Sequence, residues 1–274
     1  MKSLFVLAVT GCGVVHEAPI DARDESPIDA SSTVDAAAFD DAAPIDAAPI
    51  TLAVEGEVAW HSGNPPIALG AADDRACFLS RVAGQFAVSG GEARVYVLDG
   101  QWYVGGTAPV VVHAWARCVS WDPASTLHGD AVSYEWSQGE PPRDMGAEAD
   151  RLCGLTRMSG RFEGGGELIH ATVSGGRWLL AGNSATSGVA ASARCLHWPA
   201  GTNVAYSAET IWDQGQGDQL LANGPNHACV MTMVTGAFHG LGEMVMVWSD
   251  GTAWVLAGTS GQVGVGGRAR CLSW

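Results

Sequence analysis

Six of the seven cysteines in this chain recur on a fixed period. Cys77, Cys153 and Cys229 stand 76 residues apart, and Cys118, Cys195 and Cys271 follow at intervals of 77 and 76. Tryptophans keep the same beat: Trp60, Trp136 and Trp212, then Trp102, Trp178 and Trp254, are each 76 apart. A period shared by several residue types marks internal duplication. It limits the chain to architectures that repeat one unit. The shared landmarks are a cysteine, Gly-x-Phe, a Gly-Glu, a glycine turn leading to tryptophan, and the closing phrases "ARCVSW", "ARCLHW" and "ARCLSW". They define modules at 51–122, 126–198 and 202–274, with "DPAS" and "PAG" at the joints.

Each module reads as β structure. "ARVYVLDGQWYVGG" is an apolar run, an Asp-Gly turn and a second apolar run, which is a strong hairpin signal. "LIHATVSGGRWLLAG" and "MVMVWSDGTAWVLAG" repeat it with Gly-Gly and Asp-Gly. No segment sustains a helical period between caps. The expected fold is all-β: three tandem small disulfide-closed β-sandwich or β-barrel modules after a disordered acidic tether. The period exceeds that of a β-trefoil lobe, so serial modules are expected in preference to one threefold domain.

Six cysteines allow fifteen pairings. Repetition singles out Cys77–Cys118, Cys153–Cys195 and Cys229–Cys271. Modules of this size bury a modest core and gain from a covalent staple. Closing such a loop contributes about 4 kcal/mol from chain entropy. No C-x-x-C or paired-histidine spacing supports a metal site instead. Disulfides require an oxidising compartment.

The seventh cysteine closes the opening segment "MKSLFVLAVTGC". One cation, an apolar run and small residues make a short secretory signal over 1–11. Val9-Thr10-Gly11-Cys12 resembles the lipobox of bacterial lipoproteins. The resemblance implies cleavage before Cys12, acylation of that residue and membrane anchoring. Gly13 in place of an inner-membrane retention aspartate implies the outer membrane. Several acyl chains give durable anchoring.

Residues 12–50 then run through Asp, Ala and Pro, with "PIDA" at 19–22, 27–30 and 44–47. Nine acids against Arg23 give residues 13–50 a net charge of −8, about half the −15 of the 274-residue chain. Such a segment buries too little apolar surface to order itself and is expected to be an extended tether. The acidic balance and the absence of a basic stripe argue against nucleic acid as a partner.

The closing phrases place an arginine and a tryptophan on one strand face in every copy: Arg117 with Trp121, Arg194 with Trp198, Arg270 with Trp274. Two readings are open. One is a buried indole beside the disulfide, with the arginine paired to a repeated glutamate (Glu92, Glu167, Glu243). The other is an exposed Trp-Arg-Glu surface that stacks on a sugar face and bonds its hydroxyls.

Histidines occupy mostly different places in the copies, and no nucleophile–base set recurs. Glu163, Glu167 and His170 are the nearest thing to a hydrolase constellation, and solvated surface charge is the plainer reading of them. No catalytic residue, metal ligand or cofactor is therefore assigned. The tryptophan-rich repeats resemble bacterial adhesin or carbohydrate-binding β repeats. The expected function is non-catalytic binding of glycan or cell-wall polymer by a lipid-anchored envelope protein. A structural component contacting envelope proteins and a polysaccharide hydrolase are the alternatives.

Overall fold

The structure is a computed structural model that describes residues 50–186 and 188–274. Cys12, the signal segment and the tether lie outside the described residues. Residues 50–274 belong to one compact unit.

Each repeat supplies seven strands. The first gives β1 (Leu52–Val54), β2 (Val58–His61), β3 (Ile67–Ala71), β4 (Arg75–Gln85), β5 (Glu92–Leu98), β6 (Gln101–Thr107) and β7 (Val112–Trp121). The second gives β8 (His128–Gly129), β9 (Tyr134–Ser137), β10 (Arg143–Ala147), β11 (Arg151–Ser159), β12 (Leu168–Ser174), β13 (Arg177–Asn183) and β14 (Ala190–His197). The third gives β15 (Ala205–Tyr206), β16 (Thr210–Asp213), β17 (Gln219–Asn223), β18 (His227–Thr235), β19 (His239–Ser249), β20 (Ala253–Thr259) and β21 (Gly266–Ser273). The all-β expectation holds, and so does the predicted pairing of all six cysteines.

The three disulfide-closed modules share strands, however. They form three seven-stranded sheets, and every sheet mixes two repeats. β1, β2, β4 and β7 join β17, β19 and β20; β8, β9, β11 and β14 join β3, β5 and β6; β15, β16, β18 and β21 join β10, β12 and β13. Each repeat thus hands its third, fifth and sixth strands to the next sheet, and the last repeat hands its own back to the first. The seams are antiparallel: Met158 opposite Ala93, Val234 opposite Ile169, and Val245 opposite Val82. The repeats at 51–122, 126–198 and 202–274 are therefore each completed by strands of a neighbour.

The disulfides sit where this exchange is anchored. Cys77 faces Cys118 directly across β4 and β7, with Cα atoms 4.0 Å apart, and the other two pairs repeat the geometry at 3.9 Å. The loop that each bridge closes contains the hairpin lent to the neighbouring sheet (β5–β6 in the first repeat). The bridge clamps the base of that arm.

At the centre lies the Gly-x-Phe landmark. Phe86, Phe162 and Phe238 are fully buried and meet edge to face, with ring centroids 6.0–6.3 Å apart. Their backbones form a closed hydrogen-bonded triangle. Phe162 N–H donates to the Phe86 carbonyl, Phe238 to Phe162 and Phe86 to Phe238, at 2.8–2.9 Å. The preceding Gly84, Gly160 and Gly236 all have positive φ, and a Cβ on any of them would come within 2.4 Å of backbone. Glycine is dictated there by both conformation and space. A second central layer breaks the symmetry. A Cβ on Gly154 would lie 2.8 Å from the Phe78 ring and 2.9 Å from Val230 Cβ, so one copy's glycine makes room for another's phenylalanine.

Two tryptophan trios are core. Trp60, Trp136 and Trp212 are buried, and each indole N–H donates to a carbonyl four residues on (Asn64, Glu140, Gln216) at 3.0–3.2 Å. Trp102, Trp178 and Trp254 are buried as well. Each long central strand also carries a β-bulge, between Leu79 and Arg81, Leu155 and Arg157, and Met231 and Met233. The bulged residue is Ser80, Thr156 or Thr232, and such a residue aims its side chain out of the regular alternation.

Candidate functional site

The second tryptophan trio (Trp102, Trp178, Trp254) and the repeated arginines meet across repeats, not within them. The Arg194 guanidinium lies over the Trp102 ring at 4.6 Å, Arg270 over Trp178 at 5.4 Å, and Arg117 over Trp254 at 5.1 Å. Strand exchange causes this. Trp102 rides on the lent strand β6, which belongs to the same sheet as β14 and Arg194. Each contact is a cation–π interaction between neighbouring repeats. Burial holds the Arg117 and Arg194 guanidiniums below their ordinary range.

At the junction of repeats one and two, Trp102, Arg194 and Trp121 line a cavity of about 420 Å³ with Arg75, His128 and Gly129. Asp73, Asp74 and Asp130 also face it. Much of its wall is fixed. Asp130 Oδ2 accepts the Cys195 N–H at 3.0 Å, and its Oδ1 lies 2.6 Å from His197 Nε2. His128 stacks on His197 with rings nearly parallel. Arg75 donates to the Leu69 carbonyl at 2.6 Å and pairs with Glu55 at 2.9 Å.

The other junctions explain why this one is open. Gly129 pairs with Leu196 on β14; at the next junction Tyr206 pairs with Leu272 on β21, and at the third Val54 pairs with Val119 on β7. These three residues hold one structural position. Tyr206 fills its junction: its ring lies 6.2 Å from Trp178, 6.4 Å from Trp198 and 5.5 Å from the Arg270 guanidinium. Its hydroxyl donates to Glu148 Oε1 at 2.5 Å. Burial and that bond push the Tyr206 phenol up to about 12. Gly129 leaves the equivalent ring slot open between Trp102, Trp121 and Arg194. A Cβ on Gly129 would meet the Trp121 indole at 3.5 Å, which is ordinary contact.

The sequence-derived candidates therefore separate. Trp121 and Trp274 are partly exposed, while Trp198 is buried at 5% beside Tyr206. Of the nine repeated tryptophans, seven are buried. Arg117, Arg194 and Arg270 reach backbone or hydroxyl oxygens: Glu55 O, Ser133 Oγ with Asp130 O, and Ser207 O. Among the described residues no glutamate side chain pairs with Arg117, Arg194 or Arg270. Glu167 and Glu243 are buried, and Glu167 accepts the Gly164 N–H at 2.7 Å.

Glu92 is not their counterpart. Glu92 faces Thr107 where Leu168 faces Asn183 and Met244 faces Thr259, so it sits one residue out of step. A one-residue step reverses the face in a strand, and Glu92 there pairs with Arg94 and Arg157.

Glu163 pairs with Arg161. Burial, with Arg268 nearby, holds the His170 imidazole below its ordinary value. Among the described residues no cluster of three or more His, Cys, Asp or Glu side chains is placed to hold a metal ion.

Two parts of the slot are absent from the sequence-derived candidates: Trp102 as a wall and Gly129 as the opening. The signal that could have found them is the position of Gly129 and Tyr206 ahead of their Ala-Arg-Cys strands. The chain matches no protein-family model, and no curated protein matches it.

Proposed function

We propose that this is an exported lipoprotein, anchored through Cys12 to the bacterial outer membrane, whose threefold domain binds a glycan or cell-wall polymer without catalysis. The three disulfides fit an oxidising, non-cytoplasmic compartment. The acidic segment over 12–50 serves as the spacer. The observation that carries the binding role is the ring slot at the first junction, open because Gly129 stands where Tyr206 closes the second.

A pyranose suits this slot better than a purely aromatic group does. Trp121 offers an apolar face to a sugar's C–H face. The surrounding Asp73, Asp74, Arg194 and His128 supply acceptors and donors for its hydroxyls. Tyr206 closes the second junction, so affinity does not rest on three equivalent sites.

A second reading draws on the same comparison. Because the sister slot holds a phenol, an aromatic side chain of an envelope protein is the other occupant to consider. A glycan array and polysaccharide pull-down with wild type, Trp121→Ala and Trp198→Phe separates these. The glycan reading expects retention by wild type and Trp198→Phe and loss in Trp121→Ala. Absence of any glycan ligand, with crosslinking to a fixed envelope protein that depends on Trp121, would favour the second reading.

A further inference from the structure

A second departure from threefold symmetry lies on another part of the middle repeat. In the first repeat the bulge hydroxyl Ser80 Oγ donates to Glu57 Oε1 at 2.8 Å, and Arg81 pairs with the same carboxylate at 3.2 Å. In the third repeat Thr232 Oγ1 donates to Glu209 Oε1 at 3.0 Å, and Arg268 pairs with that carboxylate at 2.9 Å. Both sites follow one plan: a bulge hydroxyl and a guanidinium close on the carboxylate of a glutamate.

In the middle repeat the glutamate is missing. Ser133 precedes Tyr134, which pairs with Ala193 as Val58 pairs with Ala116 and Thr210 with Ala269, so Ser133 holds the place of Glu57 and Glu209. By the same register Ser192 holds the place of Trp115 and Arg268. Two large side chains have become two serines, and a cavity of about 160 Å³ opens between them. The bulge hydroxyl remains: Thr156 is fully buried, lines this cavity, and its Oγ1 has no hydrogen-bond partner. A buried hydroxyl without a partner costs stability, so it marks a place where an acceptor belongs.

The charges around the cavity are Arg157, Arg94, Glu92 and, exposed at the rim, Glu135. Arg157 and Arg94 share the Glu92 carboxylate, at 2.7 and 3.2 Å through their Nε atoms. With Glu135 counted the four charges balance, so an anion is met by the nearness of Arg157 and Arg94 and not by a net charge.

We infer that this cavity is a binding site for a small carboxylate, whose oxygen takes the Thr156 hydroxyl proton and whose charge is met by Arg157 and Arg94. The ligand stands in for the side chain that the other two repeats carry covalently. Propionate has the carboxyethyl shape of the missing glutamate side chain. The two cavities share no lining residue, although Ser133 Oγ accepts from Arg194 Nε at 3.0 Å, and a ligand in one does not require the other.

Titration of the disulfide-intact protein with propionate, read by calorimetry and by NMR of the threonine methyls, tests this. Wild type is expected to bind saturably, with the Thr156 methyl shifted. Ser133→Glu supplies the carboxylate from within and is expected to abolish propionate binding while raising Tm. Thr156→Val is expected to weaken it about tenfold. Gly129→Tyr, which concerns only the ring slot, is expected to leave it unchanged. Lack of saturable binding by wild type, equal binding by Ser133→Glu, or preference for methylammonium over propionate would each overturn the proposal.

Discussion

Gly129 and Tyr206 occupy one position of the pseudo-threefold fold, each opposite a leucine on the strand that carries the repeat's second cysteine. The phenol closes one junction and the glycine opens another. Function in this molecule is read from where the repeats differ, because what they share goes into the core.

Removing the plug should create a second site. Tyr206→Gly empties the space between Trp178, Trp198 and Arg270. The expected cost is about 2 kcal/mol of stability for a half-buried aromatic. Ligand stoichiometry, measured by calorimetry, should rise above that of wild type. Binding at the new slot should be weaker, because Glu148 stands where the first slot has Ala72.

The exchange of strands makes the three repeats one cooperative body. A fragment spanning residues 51–122 keeps its disulfide but loses the strands that complete its sheet, and it should show no cooperative melting transition by circular dichroism. The whole domain should melt in a single calorimetric transition. Phe162→Ala should lower its stability by about 3–5 kcal/mol, the usual range for a buried phenylalanine.

The central glycines should be intolerant where other glycines are not. Gly160→Ala places a Cβ 2.1 Å from the Gly188 carbonyl at a φ of +103° and should cost more than about 2 kcal/mol in chemical denaturation. Gly217→Ala, with nothing within 4 Å and no positive φ, should change stability by less than about 0.5 kcal/mol.

Stability should decline on mild acidification. Burial and Arg268 lower the His170 pKa from its ordinary 6.5, and burial with His61 lowers that of His113. The unfolded chain therefore binds more protons as pH falls through 6.5. The stability owed to the neutral imidazoles is complete above that value and is lost as pH drops through it toward the folded-state pKa values. Tm should fall between pH 7.5 and 5.5, and His170→Gln should fall less.

The sequence made the repeat, the strands and the disulfides readable, since Cys77 and Cys118 recur with their partners on a strict period. It hid the exchange. β5 and β12 carry the same pattern of inward and outward residues, so nothing local says whether β11 pairs with one or the other. The Gly-Glu motif groups Glu92 with Glu167 and Glu243, yet one residue of slippage puts it on the opposite face. The tryptophan–arginine pairing is visible as residue types, but its partners come from adjacent repeats because of that exchange. Thr156 carries no signal of its own. Only the loss of a glutamate at Ser133, two strands away, makes its hydroxyl conspicuous.

The most direct measurement is a titration of wild type and Gly129→Tyr with soluble cell-wall glycan fragments, both proteins shown to share one circular dichroism spectrum. The account predicts that wild type binds and quenches the Trp121 emission, and that the tyrosine variant loses at least about tenfold in affinity. Binding of equal strength by the two proteins would contradict it.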